Sequence, residues 1–171
     1  MRKQAFVGLS FAVLAYGMAI AAPPPPKNEA FERFKGLVGD WVALEDGEMS
    51  KKGDLVATYR LTASGTAVVE DIFTGTPHAM TTVYYLDGPD LVLTHYCMEG
   101  NQPRMRAKAT SSPRVQFVYD GGTNIDPKHS RHMHQATFEF LGKDEIKSDW
   151  SEFAEGKPVM NAVMHLTRKS S

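Results

Sequence analysis

From residue 39 onward, apolar and polar side chains alternate with a period of two, which is typical of β-strands. Glycine, proline, asparagine and aspartate separate the runs, as in Asp87-Gly88-Pro89-Asp90. The pattern predicts ten strands near residues 39–45, 54–62, 66–73, 79–86, 91–98, 103–109, 114–120, 132–141, 144–153 and 159–168. A short amphipathic helix over 30–37 precedes them, with Phe31, Phe34 and Leu37 on one side.

These strands predict an all-β fold built from neighbouring antiparallel hairpins. No segment between them is long and helical enough for a parallel crossover. About ten short strands leave two open edges unless the sheet closes, so we expect an antiparallel barrel preceded by the short helix. A β-sandwich is the alternative architecture.

The first residues have the pattern of a secretory signal peptide. Arg2 and Lys3 precede an uncharged apolar run over 5–19, and Ala19-Ile20-Ala21 supplies small residues before a cleavage site. The run is shorter than the roughly 20 residues of a membrane-spanning helix, which is the alternative. We therefore predict a signal peptide over 1–21, a proline-rich leader over 22–30 and one β-barrel domain over 31–171.

Export implies a periplasmic or extracellular protein with no stable membrane insertion after cleavage. Removing Arg2 and Lys3 changes the formal net charge from −1 to −3, which gives no electrostatic attraction to nucleic acid. Cys97 is the single cysteine, so no intramolecular disulfide is available and the domain depends on its hydrophobic core. The sequence does not fix the oligomeric state.

Strand alternation also predicts which side chains face the interior. In 132–141 the more apolar set contains Ala136, Phe138 and Phe140, and it carries His132 and His134 inward with it, while Met133 faces away. In 91–98, His95 and Cys97 share a face with Leu91 and Leu93. The same rule predicts further inward residues at Met80, Thr82, Tyr84, Leu86, Val115, Phe117, Tyr119, Ile146, Trp150, Met160, Ala162, Met164 and Leu166.

The segment Leu37-Val38-Gly39-Asp40-Trp41 resembles the Gly-x-Trp start of the first strand in lipocalins and related calycins. In those proteins a short helix precedes the strand and the tryptophan closes one end of the barrel. The resemblance therefore implies a calycin-type barrel in which Trp41 packs near the 31–37 helix.

A wider resemblance covers nearly all of the chain after residue 21. The sequence is similar to a family of exported bacterial proteins with a calycin-like domain at 84–88, 93–97, 100–105, 122–124 and 132–134. This resemblance implies a fold and a bacterial envelope location, and it brings no established activity.

Nitrobindin-like haem-binding calycins are more distant relatives. Their glycine-rich Gly-x-Trp-x-Gly-x-Gly opening is absent, because Val42, Ala43, Leu44 and Glu45 follow Trp41. Their haem-ligating histidine corresponds only to His165, which we predict on the outer face. Haem is therefore a less favoured cofactor than zinc or iron.

A histidine-based metal site is one hypothesis for function. His132 and His134 are two residues apart, which places their Cα atoms about 6.5–7 Å apart on one face of a strand. His95 is the predicted third ligand, with Cys97 or Glu70 as substitutes, and three such ligands would suit zinc or iron. Alternatively, these imidazoles are exposed at a polar strand entrance.

A ligand cavity is the leading hypothesis. We predict that its wall contains Tyr84, His95, Cys97, Phe117, Phe138 and Trp150. The loop over 99–104 would add Asn101, Gln102 and Arg104 at the rim, where Arg104 would suit a carboxylate or phosphate. Alternatively, the residues of this loop only form a hairpin turn. Cys97 could be a nucleophile beside His95, and the alternative is that it is a small buried hydrophobic side chain.

Three classes of function follow from these patterns. The first is an exported protein that binds a small, partly apolar molecule. The second is a metal-dependent enzyme that uses the histidine cluster, and the third is a structural or partner-binding envelope protein with a filled core.

Cleavage is expected after Ala21, which would leave Ala22 as the first residue of the exported protein. N-terminal sequencing of material recovered from the periplasm or medium checks this prediction. A first residue at Pro23 would move the site by one, and a retained Met1 would contradict export by this route.

Overall fold

The computed structural model describes residues 27–111 and 113–170, so the predicted signal peptide and most of the leader lie outside the described residues. One α-helix, α1, and ten strands, β1–β10, follow in chain order, with a short 3-10 turn over Ala63–Gly65. Their bounds are α1 Glu29–Lys35, β1 Gly39–Ala43, β2 Leu55–Thr62, β3 Ala67–Ile72, β4 Met80–Asp87, β5 Asp90–Tyr96, β6 Gln102–Ser111, β7 Arg114–Thr123, β8 His132–Phe140, β9 Glu145–Ala154 and β10 Lys157–Arg168.

The strands form a closed barrel. Each strand pairs antiparallel with its neighbours in the chain, and β1 pairs with β10 to complete the circle. Tight turns make this connectivity possible, as at Gly88, whose φ of 61° joins β4 to β5. The prediction of a ten-stranded antiparallel barrel preceded by a helix, the calycin-type architecture, is confirmed.

Aromatic side chains fill the end of the barrel that α1 covers. Phe34, on α1, stacks on Tyr84 with ring centroids 4.3 Å apart and meets Phe117 and Phe138 edge to face. A helix of seven residues is not stable alone, so this packing holds it in place. Asn28 caps the helix, because its side chain accepts a hydrogen bond from the Phe31 amide at 3.0 Å.

Trp41 joins the helix to the first and last strands. Its side chain is fully buried, and its indole N–H donates to the Leu37 carbonyl oxygen at 2.7 Å. The Arg168 guanidinium, at the end of β10, lies 4.6 Å from the centre of the Trp41 ring and donates to the carbonyl oxygens of Val38 and Gly36. The predicted position of Trp41 is confirmed.

The opposite end of the barrel carries the longer connections. Loops over 44–54, 73–79, 97–101 and 124–131 follow the last residues of β1, β3, β5 and β7, and the turn from β9 to β10 lies at the same end. Ligand-binding groups of barrels are commonly found at such loop-bearing ends. No helix among the residues that the structure describes is long and apolar enough to span a membrane.

Replacing Trp41 with alanine should lower the free energy of unfolding by about 3–5 kcal/mol, because it opens a cavity and removes the contacts to Leu37 and Arg168. Denaturant unfolding followed by circular dichroism measures this, since tryptophan fluorescence would lose one of its two reporters. Val38→Ala, at an exposed neighbouring side chain, is the control and should change stability by less than about 0.5 kcal/mol. Equal stability of the two variants would contradict this role for Trp41.

Candidate functional site

A cavity of about 230 Å³ lies at the loop-bearing end of the barrel. Its wall comes from strand ends and loops that the fold brings together: Met49, Ile72, Phe73, His78, Met80, His95, Cys97, Met98, Glu99, Arg131, Met133, Trp150, Glu152, Met160, Ala162 and Met164. The aromatic cluster around Phe34 fills the other end, so the space is confined to one half of the barrel.

Methionines dominate the cavity wall. Six of the nine methionines in the chain contribute to it. Met80, Met133 and Met164 are buried, whereas Met49 and Met98 are exposed at the mouth. Because thioether side chains are flexible and polarisable, such a wall adapts to ligands of different shape.

His95 is the most buried polar side chain of the cavity, with 2 % of its surface exposed. Its Nδ1 lies 2.9 Å from the Thr82 hydroxyl, and its ring is 5.0 Å from the Trp150 ring, centroid to centroid. Its Nε2 has no hydrogen-bond partner among the described residues. Buried polar atoms normally have a partner, so an unpaired nitrogen in a cavity wall points to a ligand.

A row of cross-strand neighbours holds His95. The register pairs Glu70 on β3 with Thr82 on β4, and Thr82 with His95 on β5. Tyr59 and Tyr84 donate hydrogen bonds to the Glu70 carboxylate, the latter at 2.6 Å. Burial raises the pKa of Glu70, and the hydrogen bonds from the two tyrosines and Thr82 act against that rise.

The contact with Thr82 leaves one ring nitrogen of His95 for the cavity. When His95 Nδ1–H donates to the Thr82 hydroxyl oxygen, the neutral ring carries its lone pair on Nε2, which has no partner among the described residues. Burial lowers the pKa of His95 to about 4, which keeps the ring neutral near pH 7.

Trp150 supplies a second unpaired polar atom. The side chain is 4 % exposed and lines the cavity, and its Nε1–H has no acceptor among the described residues. In the sheet it lies between Ala136 and Ala162, whose small side chains leave room beside the indole. The wall thus presents two unpaired buried polar atoms, His95 Nε2 and the donor Trp150 Nε1.

An ion pair lies at the mouth. Arg131 donates two hydrogen bonds to the Glu152 carboxylate, from Nε to Oε1 at 3.1 Å and from Nη2 to Oε2 at 2.5 Å. Asn101 supports this loop because its side-chain amide donates to the Arg131 carbonyl oxygen at 2.7 Å. The neighbouring Cys97 also lines the cavity, and burial raises the pKa of its thiol, which disfavours the thiolate that a nucleophile needs.

The structure does not bring His132 and His134 to His95. His132 Nδ1–H donates to the Ser130 carbonyl oxygen at 2.9 Å, and its Nε2 accepts from His134 Nδ1–H at 3.0 Å. The His134 ring stacks on Phe153 with centroids 4.1 Å apart. Neither imidazole contributes to the cavity wall.

A β-bulge explains this difference. Met133 pairs with Glu152 but Gln135 pairs with Ser151, so β8 contains one extra residue at His134. The bulge reverses the side-chain alternation before it, which turns Met133 into the cavity wall. His132 is buried, with 1 % of its surface exposed, against the rings of Tyr119 and His134, and it lies outside that wall. This corrects the outward assignment of Met133 and the placement of the two histidines in the cavity of His95.

The three-histidine metal site is therefore not assembled. Within 27–111 and 113–170, no group of three or more histidine, cysteine, aspartate or glutamate side chains is arranged to hold a metal ion. His165 lies elsewhere, with Nε2 2.8 Å from Glu145 and Nδ1 3.5 Å from Glu45, and does not contribute to the cavity wall.

Among the predicted ligand-binding residues, His95, Cys97 and Trp150 line the cavity. Tyr84, Phe117 and Phe138 instead pack around Phe34 in the filled end, because the helix inserts that ring among them.

The predicted rim residues have structural partners. Gln102 donates to the Gly100 carbonyl oxygen, and Arg104 pairs with Asp87 on the barrel surface at 2.5 Å. Asn101 is buried against the Arg131 loop and does not line the cavity. The correction is that the 99–104 loop contributes Glu99 to the cavity wall, and not these three side chains.

Sequence reasoning assigned no ligand role to the methionines. Strand alternation predicts that Met80, Met160 and Met164 face inward. It does not predict that they cluster in space, because that depends on the register between strands. A scan against protein-family models and a search of curated proteins found no match for this chain. Its function is therefore inferred from the geometry of the cavity.

The stability of the protein should fall as the pH falls from 6.5 towards 4, because the unfolded chain binds a proton at His95 that the folded protein excludes. The full effect is about 3 kcal/mol at pH 4 and does not grow below it. Glu70 acts with the opposite sign, since its pKa is raised in the folded protein, so the test compares variants with the parent.

Denaturant unfolding between pH 4 and 7 measures the slope. His95→Gln should flatten the dependence of the unfolding free energy on pH, because the titrating ring is gone. His134→Gln should flatten it less, since His134 is a half-buried ring whose pKa is lowered by burial and by His132. An unchanged slope in His95→Gln would show that His95 is not the titrating group.

Proposed function

We propose that this chain is an exported protein that binds a small, mainly apolar molecule in the methionine-lined cavity. The observation that carries the proposal is the pair of unpaired polar atoms, His95 Nε2 and Trp150 Nε1, in an otherwise largely apolar wall. Ligand sites typically combine an apolar wall with a few placed polar groups. The signal-like sequence over 1–21 supports the export part of the proposal.

The two polar atoms define the chemistry of the ligand. A group that donates to His95 Nε2 and accepts from Trp150 Nε1 satisfies both, and a hydroxyl or an amide has this capacity. The volume of about 230 Å³ is below the roughly 300–1,000 Å³ of drug-sized sites. We therefore expect a small alcohol or amide with an apolar body rather than a large cofactor.

Two features favour binding over the other classes. A purely structural barrel would gain stability from a core filled at both ends, whereas this barrel keeps its space where the loops meet. The hypothesis of a metal-dependent enzyme required His95, His132 and His134 to bind one metal ion, and these three side chains do not come together.

A neutral fluorescent probe, N-phenyl-1-naphthylamine, tests the cavity. The protein should bind it, and medium-chain primary alcohols should displace it more effectively than alkanes of the same length. Ala162→Trp should abolish binding because the new ring occupies the space beside Trp150. Val159→Trp is the matched control, since that side chain is exposed on the same strand and outside the cavity wall.

Trp150→Phe isolates the polar contribution. This variant keeps most of the ring and loses the N–H, so alcohol affinity should fall about 2- to 10-fold while alkane affinity stays nearly constant. Equal probe binding by the parent and Ala162→Trp would locate the ligand elsewhere, and no binding of any of these compounds would refute the proposal.

A further inference from the structure

Sulfur is concentrated at one place in this molecule. Of the seven methionines in the described part of the chain, six line the cavity, and Met105 in the core is the exception. The buried thioethers belong to Met80 on β4, Met133 on β8 and Met164 on β10, so they reach the cavity from different sides of the barrel.

One ring nitrogen without a hydrogen-bond partner shares this space. When His95 Nδ1–H donates to the Thr82 hydroxyl, this hydrogen bond orients the ring and leaves the lone pair on Nε2. Protein metal sites use the same arrangement, in which the second ring nitrogen of a histidine ligand donates to an oxygen. Nε2 is buried and has no partner among the described residues.

We propose that this cavity binds one cuprous ion, with His95 Nε2 as the nitrogen ligand and the thioethers of Met80, Met133 and Met164 as sulfur ligands. Soft thioether ligands select Cu(I), whereas Mg²⁺ and Ca²⁺ prefer oxygen. All four ligands are neutral. Because the cost of transferring an ion to an apolar site rises steeply with its charge, they suit a monovalent ion better than Zn²⁺ or Fe²⁺.

The proposal requires the three thioethers to converge on His95 Nε2 by rotation about their side-chain bonds. A methionine has three rotatable side-chain bonds, so its sulfur reaches several positions from one Cα. Met49, Met98 and Met160 are 38–51 % exposed at the mouth of the cavity. Their thioethers could bind the ion briefly as it passes between solvent and the three buried methionines. The ion enters and leaves as Cu(I), and no electron transfer is part of the proposal.

This inference goes beyond the proposed function and uses the same cavity. Copper and an organic ligand would compete for His95 Nε2, so saturation with one should reduce binding of the other. The two proposals still separate, because probe binding without copper binding refutes only the copper site, and copper binding without probe binding refutes only the small-molecule site.

Anaerobic titration with Cu(I) against the chromophoric chelator bicinchoninate measures stoichiometry and affinity. The expected result is one Cu(I) per protein, and X-ray absorption should detect one nitrogen and three sulfur neighbours. Replacing Met80, Met133 and Met164 together with leucine preserves volume and leaves the His95 hydrogen bonds in place. This variant should bind Cu(I) about 10-fold or more weakly.

Matched variants make the test decisive. Met105→Leu changes the buried methionine outside the cavity wall and should bind Cu(I) like the parent. His95→Gln should weaken Cu(I) binding by about 10-fold or more, with circular dichroism as the check on folding. Cys97→Ser tests whether the thiol, which lines the same cavity, is a ligand, because a large loss of Cu(I) affinity in this variant would contradict the proposed set.

Several results would overturn the copper site. These are parent-like affinity in the methionine triple variant, loss of binding in Cys97→Ser alone, and Zn²⁺ binding that is as tight as Cu(I) binding and equally sensitive to the same variants. Absence of sulfur neighbours in the absorption spectrum would also refute it.

Discussion

The contact between Arg168 and Trp41 is the interaction on which the rest of this barrel depends. It lies where the first strand, the last strand and the helix meet, and the guanidinium covers the indole while it binds two carbonyl oxygens of the helix–strand junction. Trp41 in turn binds the Leu37 carbonyl oxygen. Because α1 is held at this junction, Phe34 is directed into the barrel, and the aromatic cluster that it completes closes one end.

Closure of one end gives the molecule its asymmetry. The sheet continues beyond the aromatic cluster, so side chains of the same strands that pack around Phe34 at one end line a cavity at the other. The cavity wall combines adaptable thioethers with one rigid polar element, the row of Glu70, Thr82 and His95. In the binding function proposed above, a fixed nitrogen in a deformable apolar wall would favour ligands with one fixed polar atom and tolerate variation in the rest of their shape.

The sequence was sufficient for the elements and for the barrel, and insufficient for the site. All ten strands and the helix follow from periodicity and turn residues, because these are local properties of the chain. The alignment of Glu70, Thr82 and His95 depends on register across three strands, which alternation does not specify. The single extra residue at His134 brings Met133 into the cavity wall, and nothing in the local composition indicates a bulge. Tyr84, Phe117 and Phe138 lie in the filled end of the barrel for another reason. The insertion of Phe34 decides which inward aromatic rings are covered and which face a cavity.

The pairing of β1 with β10 has a consequence for how the chain reaches this structure. The other nine strand pairs join neighbours in sequence, so hairpins can form and add to one another with short loops to close. The final pair joins Trp41 to Arg168, and its closure must restrict almost the whole domain at once. Until that step, the growing sheet has two unpaired edges that can pair with other chains. Folding speed and escape from aggregation therefore depend on the last few residues of β10, which complete the circle.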